Sequence, residues 1–119
     1  MTLGDVAGVG PEVAVKALLD PSIESECIPI LIGELSTIRY YAERLTPERQ
    51  LRVLKDPGEA QANTHSVQII DLKNVEFSRV KLGKMDVNCG RAALDYIRAG
   101  VDLCLKKKLD AIVTGPIYQ

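Results

Sequence analysis

Three glycines, Gly4, Gly8 and Gly10, surround Asp5 at the start of the chain and lead into Pro11 and Glu12. Glycines at this density let a backbone turn tightly or come close to a ligand, and Pro11 suits the first helical position, where its missing N–H is no loss. Glu12 then falls in the first turn, where the helix dipole favours an acid. At the carboxyl end of a parallel strand, the free N–H groups of such a turn face the crevice where open α/β sheets bind ligands. The spacing Gly8-Val9-Gly10-Pro11 lacks the third glycine of the dinucleotide fingerprint and names no ligand by itself. A plain βα turn, with Asp5 bonding nearby backbone, is the competing reading.

A second segment points the same way. Leu109 to Val113 reads as a short apolar strand running into Thr114-Gly115-Pro116. The threonine hydroxyl there either bonds a ligand oxygen or caps the strand end. The lone histidine, His65, sits among Asn63, Thr64 and Ser66 in what reads as a solvated loop. One histidine without a Cys-x-x-Cys partner set does not make a catalytic metal site, which takes three protein ligands. Cys27, Cys89 and Cys104 read as reduced thiols, small core residues rather than nucleophiles.

The elements that must position these residues alternate strand and helix. After the strand stub come a helix over residues 11–19, stopped by Asp20-Pro21, and a buried apolar strand over 28–32 within the uncharged run Cys27–Gly33. Ser36 is the expected cap of a helix over 37–45, with Ile38, Tyr41, Ala42 and Leu45 on one stripe. Residues 50–54 alternate like a strand, Asp56-Pro57-Gly58 is a turn, residues 58–65 are polar, and 66–70 return to a strand. Residues 71–86 show no period and predict a loop or a short strand pair, an arm suited to subunit contacts. A helix then spans about Cys89 to Lys107, with Ala93, Ile97, Val101, Cys104 and Leu105 on its expected buried face and Arg91, Asp95, Arg98 and Asp102 opposite. Lys106, Lys107 and Lys108 oppose the negative end of its dipole. Gly100 in mid-helix costs about 1 kcal/mol relative to alanine, a cost that a close approach to the sheet would explain.

Taken together, the opening and the closing segment resemble the 4-hydroxythreonine-4-phosphate dehydrogenase family, whose members open with Gly-Asp-Pro-Ala-Gly-Ile-Gly-Pro-Glu. The match here is Gly4-Asp5-Val6-Ala7-Gly8-Val9-Gly10-Pro11-Glu12, followed in order by Cys89-Gly90, Tyr96-Ile97 and Thr114-Gly115-Pro116-Ile117. Val6 replaces a proline, and Tyr118-Gln119 stand where the family has Asn-Lys. The resemblance implies an α/β fold, the three-layer α/β/α sheet of the isocitrate/isopropylmalate dehydrogenase-like type. It is incomplete in this chain: residues 1–119 would form the N-terminal part of one α/β domain, with the second domain and the metal-site region absent. It further implies NAD, a divalent metal (Zn, Mg or Co), a small phosphorylated hydroxy-acid substrate and a homodimer, with the site in a cleft between domains. Asp5, Gly8, Gly10, Thr114 and Gly115 are then the positions expected to meet the cofactor or the substrate phosphate. The family's metal-binding histidines lie beyond the Thr-Gly-Pro strand, so no catalytic and no metal residue is expected here.

Composition leaves these readings standing. Apolar residues make up 46% and charged residues 26%, with net charge −1. There is no basic stripe for nucleic acid and no apolar run of membrane-spanning length, and the expected location is cytoplasmic. Two functions of different class remain: part of a dehydrogenase, inert alone, or a non-catalytic binding or structural module that keeps half of the fold.

Overall fold

Leu31, Ile32, Val67, Gln68 and Ile69 are buried on consecutive positions, so the strands that carry them are covered on both faces. The computed structural model describes residues 1–62, 64–84 and 86–116. Within them β1 (Leu31–Gly33), β2 (Leu51–Val53) and β3 (Val67–Asp71) form a parallel sheet in the order β1-β3-β2. Leu31 lies opposite Ile69, and Val53 opposite the same residue from the other side. Two bridges extend the sheet: Thr2 pairs in parallel with Ile32 and with Thr114. The Ile32 N–H donates to the Met1 carbonyl (2.8 Å) and the Thr2 N–H to that of Val113 (2.9 Å).

Parallel neighbours need crossovers, and helices supply them. Helix α1 (Gly10–Leu18) follows the opening turn and packs against α3 (Leu35–Leu45), while α4 (Val87–Leu105) lies against β1. Pro11 occupies the second helical position rather than the first. Asp20-Pro21 ends α1 as expected, yet it also begins α2 (Pro21–Glu26), because the Asp20 carboxylate accepts from the Ser22 N–H (3.0 Å). The same dipeptide that stops one helix is a good cap and first residue for the next. The apolar run after it enters the sheet only at Leu31: Cys27 and Ile28 are exposed, and Pro29 has no N–H for a ladder.

Helix α3 starts two residues before the sequence suggests, and its cap is Glu34 instead of Ser36. The buried Glu34 carboxylate accepts from the Ser36 and Thr37 N–H groups (2.8 and 3.0 Å) and from both hydroxyls (2.6 and 3.0 Å). Its longer side chain reaches what a serine at Ncap would reach, and Ser36 becomes a donor. Asp71, at the end of β3, accepts from the Leu35 N–H (3.1 Å) and ties β3 to the same helix start.

Residues 72–84 contain no strand; they hold a 3-10 turn at Phe77–Arg79 and a hydrogen-bonded turn from Lys81 to Lys84. This loop is pinned by packing: the Phe77 ring lies 4.7 Å from that of Tyr40 and 6.1 Å from that of Tyr41.

Helix α4 differs most from its sequence reading. Its buried residues are Cys89, Ala92, Ala93, Tyr96 and Gly100, while Val101 and Leu105 are exposed. Tyr96 is fully buried and the small residues around it let the helix sit close to the sheet. Gly100 does mark a close approach: a Cβ there would fall on the Ile112 side chain and lie 3.5 Å from that of Ile32.

The three lysines after α4 have more specific roles than charge alone. Lys106 pairs with Asp102 (2.9 Å) and Lys108 with Asp56 (2.6 Å). The Lys108 N–H donates to Leu103 and the Lys107 N–H to Cys104, the paired bonds of a Schellman close, with Lys107 at φ 59°. That position favours glycine, and a side chain there costs about 1 kcal/mol. Lys107→Gly is therefore expected to stabilise the fold by up to about 1 kcal/mol in urea unfolding, and a loss would show that the lysine side chain contributes more than its strain.

Candidate ligand-binding turn

Two chain segments that lie over a hundred residues apart in sequence meet just after the bridge residues Thr2 and Thr114; residues 109–113, expected as a strand, reach the sheet only through the Thr114 bridge. The Asp5 N–H donates to the Pro116 carbonyl (3.0 Å), and the Gly115 N–H to that of Thr2 (3.0 Å). Of the five expected site residues, Asp5, Gly10 and Gly115 are thus drawn together around Leu3 and Gly4. Gly8 lies on the rim and Thr114 is exposed on the neighbouring segment.

The glycines differ in what they do. Gly4 has φ 72°, and a Cβ on it would fall on the Pro116 carbonyl oxygen and lie 2.8 Å from the Gly115 carbonyl carbon. Gly10 has no positive φ; its requirement is space, because a Cβ would fall on the Leu3 carbonyl oxygen. Gly115 faces the same carbonyl, its Cβ position 2.7 Å from that oxygen. Leu3 is in this way clasped by two bare glycine backbones. Gly8 has nothing nearer than 3.6 Å.

Asp5 is buried, and its carboxylate accepts from the Ala7 N–H (2.9 Å) while its carbonyl accepts from Gly8 (3.0 Å). This is the turn-stabilising arrangement. The N–H groups of Asp5, Ala7 and Gly8 are consequently spent inside the protein. Those of Gly10 and Glu12 belong to the first turn of α1, where donors have no intrahelical acceptor. The turn is itself roofed by the loop of residues 72–84, whose Gly83 N–H donates to the Ala7 carbonyl (2.7 Å). Nothing in the sequence marks this contact, since residues 71–86 lack a period.

Cys89, in the first turn of α4, lies beside the same turn. Burial, then the charges of Asp86 and Asp5, push its thiol up to about 11, against a smaller opposing effect of the Ala7 N–H. A folded-state value above that of the unfolded chain means stability that is complete below about pH 9 and is lost as pH rises toward about 11. Urea unfolding at about pH 8 and about pH 10 should show this loss, and Cys89→Ala should flatten it. An unchanged alkaline slope in that variant would show that the thiol stays out of the linkage.

A cavity of about 390 Å³ opens on the other side of Cys89, between Asn74–Val80 and the start of α4. Its two arginines, Arg79 and Arg91, are offset by Glu76, Asp86 and Asp95, so it selects no anion on charge. His65 is exposed in its loop, and among the described residues no three His, Cys, Asp or Glu side chains are placed to hold a metal ion. No helix of the described residues is long and apolar enough to cross a membrane. Ile117, Tyr118 and Gln119, which the resemblance sets beside a family Ile/Leu-Asn-Lys, lie outside the described residues, as does Asn63.

A parallel α/β unit with glycine turns gathered at the carboxyl ends of its strands is the class of protein that the fold and this site define. Residues 25–119 match the family described as "Pyridoxal phosphate biosynthetic protein PdxA", and the chain belongs to that family. It is 35% identical over 117 residues to a putative D-threonate 4-phosphate dehydrogenase of Clostridium botulinum, covering 98% of this chain and 35% of that protein. Its fold matches a 4-hydroxythreonine-4-phosphate dehydrogenase from Burkholderia phymatum with TM-score 0.90 and 33% identity, over 98% of this chain and 35% of the other. A putative 4-hydroxythreonine-4-phosphate dehydrogenase from Salmonella typhimurium matches with TM-score 0.87 and 31% identity. The chain thus spans about a third of the length of the relatives it matches.

Proposed function

We propose that these residues form one wall of the active-site cleft of a dehydrogenase that oxidises the secondary alcohol of a small phosphorylated hydroxy acid, such as a threonate phosphate or 4-hydroxythreonine 4-phosphate. The observation that carries this reading is the union of the two family motifs by the bond from Asp5 to Pro116, next to the parallel bridge between Thr2 and Thr114. The glycines there hold the wall together, Gly10 being buried at the start of α1, and what remains open to a ligand is the rim: Gly8, the Thr114 hydroxyl and half-buried Gly115. These are the positions proposed to meet a nicotinamide cofactor, NAD in this reading, or the substrate phosphate. Asp5 acts by shaping the turn, since its carboxylate is held by the Ala7 N–H.

A nicotinamide held at this rim would supply a hydride acceptor for the alcohol, whose hydroxyl proton would go to solvent, and a β-keto acid so formed would be prone to lose carbon dioxide. The described residues do not supply a donor set for a divalent metal. A homodimer in the cytoplasm, serving pyridoxal phosphate synthesis, completes the reading.

The test compares this chain with a family-length polypeptide that begins with the same residues, following NADH formation on both phosphate substrates with added Mg²⁺ or Zn²⁺. Turnover in the longer form alone supports the reading, and its loss or a raised KM on Thr114→Val would support the rim assignment. No turnover in the longer form on either substrate would overturn the proposed activity and favour a non-catalytic module.

A further inference from the structure

Residues 74–84 are fastened to the protein at few points. Among the described residues, the one backbone hydrogen bond that leaves this segment runs from the Gly83 N–H to the Ala7 carbonyl (2.7 Å); the others, Arg79 to Glu76, Val80 to Phe77 and Lys84 to Lys81, stay within it. Its apolar hold is half-buried: Val75 and Val80 against the core, and Phe77 against Tyr40 and Tyr41. Over Asn74–Val80 the cavity of about 390 Å³ parts it from the start of α4, crossed by the long bond from the Asn74 amide to Asp95 (3.4 Å). Few buried apolar contacts and an exposed, self-bonded backbone mark a segment that opens ahead of the fold around it.

Both ends of the segment turn through left-handed backbone. Lys73 has φ 54°, held there by the bond from its N–H to the Asp71 carboxylate (3.0 Å), and Gly83 has φ 79°. Unlike Gly4 and Gly10, Gly83 is uncrowded, with nothing within 4 Å of a Cβ placed on it. Its φ and ψ can change without a clash, as a hinge requires. Charge gives the segment something to close on. Exposed Lys73, Lys81 and Lys84 have no ion-pair partner among the described residues, and Arg79 has Glu76 (3.0 Å) beside it. Lys84 follows Gly83 directly and its N–H donates to the Lys81 carbonyl (3.3 Å), so both lysines are carried to the opening turn when Gly83 docks on Ala7.

We propose that residues 74–83 form a lid over the opening turn, hinged at Lys73 and Gly83, latched by Phe77 on Tyr40 and Tyr41, and closed by a phosphate-bearing ligand at the Gly8 rim. A ligand moves such an equilibrium only by binding the two positions unequally, and Lys81 and Lys84 supply that inequality. The closing ligand rests on the rim reading above, whereas the hinge and the latch do not.

Opening is read by amide hydrogen exchange at Gly83 and by cleavage after Glu76 with a glutamate-specific protease. In the parent chain, Gly83 exchange should be insensitive to low urea while exchange across β3 rises with it, the signature of a local opening. Gly83 following urea as β3 does would overturn the lid, since the segment would then open only with the core. Phe77→Ala should speed Gly83 exchange and cleavage after Glu76 at least tenfold more than it speeds β3 exchange, and equal acceleration or none overturns the latch. Inorganic phosphate at millimolar concentration should slow Gly83 exchange at least threefold in the parent and leave the double variant Lys81→Gln, Lys84→Gln unaffected. No slowing in the parent, or equal slowing in the variant, overturns the anion-closed lid. The turnover assay stands apart: an inactive family-length polypeptide whose Gly83 still slows with phosphate defeats the dehydrogenase reading and leaves the lid.

Discussion

Gly4→Ala is expected to lower the thermal midpoint by about 15 °C or more, while Gly8→Ala leaves it nearly unchanged. At Gly4 two costs add. The φ of 72° strains any L side chain by about 1–2 kcal/mol, and the new Cβ would land on the Pro116 carbonyl oxygen, with the Gly115 carbonyl carbon 2.8 Å away. Both neighbours are backbone, so no side-chain rotation relieves the contact. A loss above about 4 kcal/mol follows, a large part of the total stability of a domain this size; at about 4 °C per kcal/mol this gives the stated shift. Gly10→Ala should cost nearly as much, because its Cβ would meet the Leu3 carbonyl without any φ penalty. At Gly8 the nearest atom is 3.6 Å away, and alanine there lies within about 0.5 kcal/mol of the parent. Circular-dichroism melts of the three variants decide it. Equal midpoints for Gly4→Ala and Gly8→Ala would mean that the junction with Gly115–Pro116 is not formed in solution.

The same glycines show how far the sequence carries. Their density announces a turn and the start of α1 within one residue, because φ freedom and the Pro-Glu first turn are local properties. Which glycine is needed, and why, is not local: Gly10 and Gly115 are required by the Leu3 carbonyl between them, and no spacing rule relates positions 10 and 115. The junction at Asp5 and Pro116 was reachable only through family resemblance, which places both motifs in one cleft. Likewise the periodicity of α4 declares a helix but contains two apolar stripes, and choosing between them needs the sheet. The choice falls to the stripe with Ala92, Ala93 and Gly100, whose small side chains admit the helix to the sheet, over the one with more apolar volume. Cap propensity points to Ser36 rather than Glu34, yet a buried carboxylate with four donors outweighs that preference. The roof over the turn, Gly83 on Ala7, comes from a segment whose order depends on Phe77 against Tyr40 and Tyr41, a contact without a sequence signature.

Tyr96 is where packing and polarity pull in opposite directions, and two substitutions separate them. The ring is fully buried among Leu3, Val6, Ile32 and the rest of the core, so Tyr96→Ala should cost about 4 kcal/mol through lost transfer energy and the cavity left behind. The hydroxyl, by contrast, has no protein partner among the described residues. Burial, with Glu34 and then Cys89, Asp71 and Asp95 adding like charge, raises its pKa, so the phenol stays neutral wherever the fold survives. An unpaired buried hydroxyl costs about 1–3 kcal/mol, and Tyr96→Phe should recover about 1 kcal/mol of it, raising the urea midpoint without changing the slope. The gain should widen above about pH 10, where the unfolded chain's tyrosine ionises and the folded one does not, a difference that phenylalanine abolishes. If Tyr96→Phe instead loses more than about 1 kcal/mol, the hydroxyl is bonded in solution and its position beneath Glu34 and Asp71 serves to anchor the start of α3. Tyr96→Ala then measures the ring and the bond together, and the difference between the two variants isolates the ring.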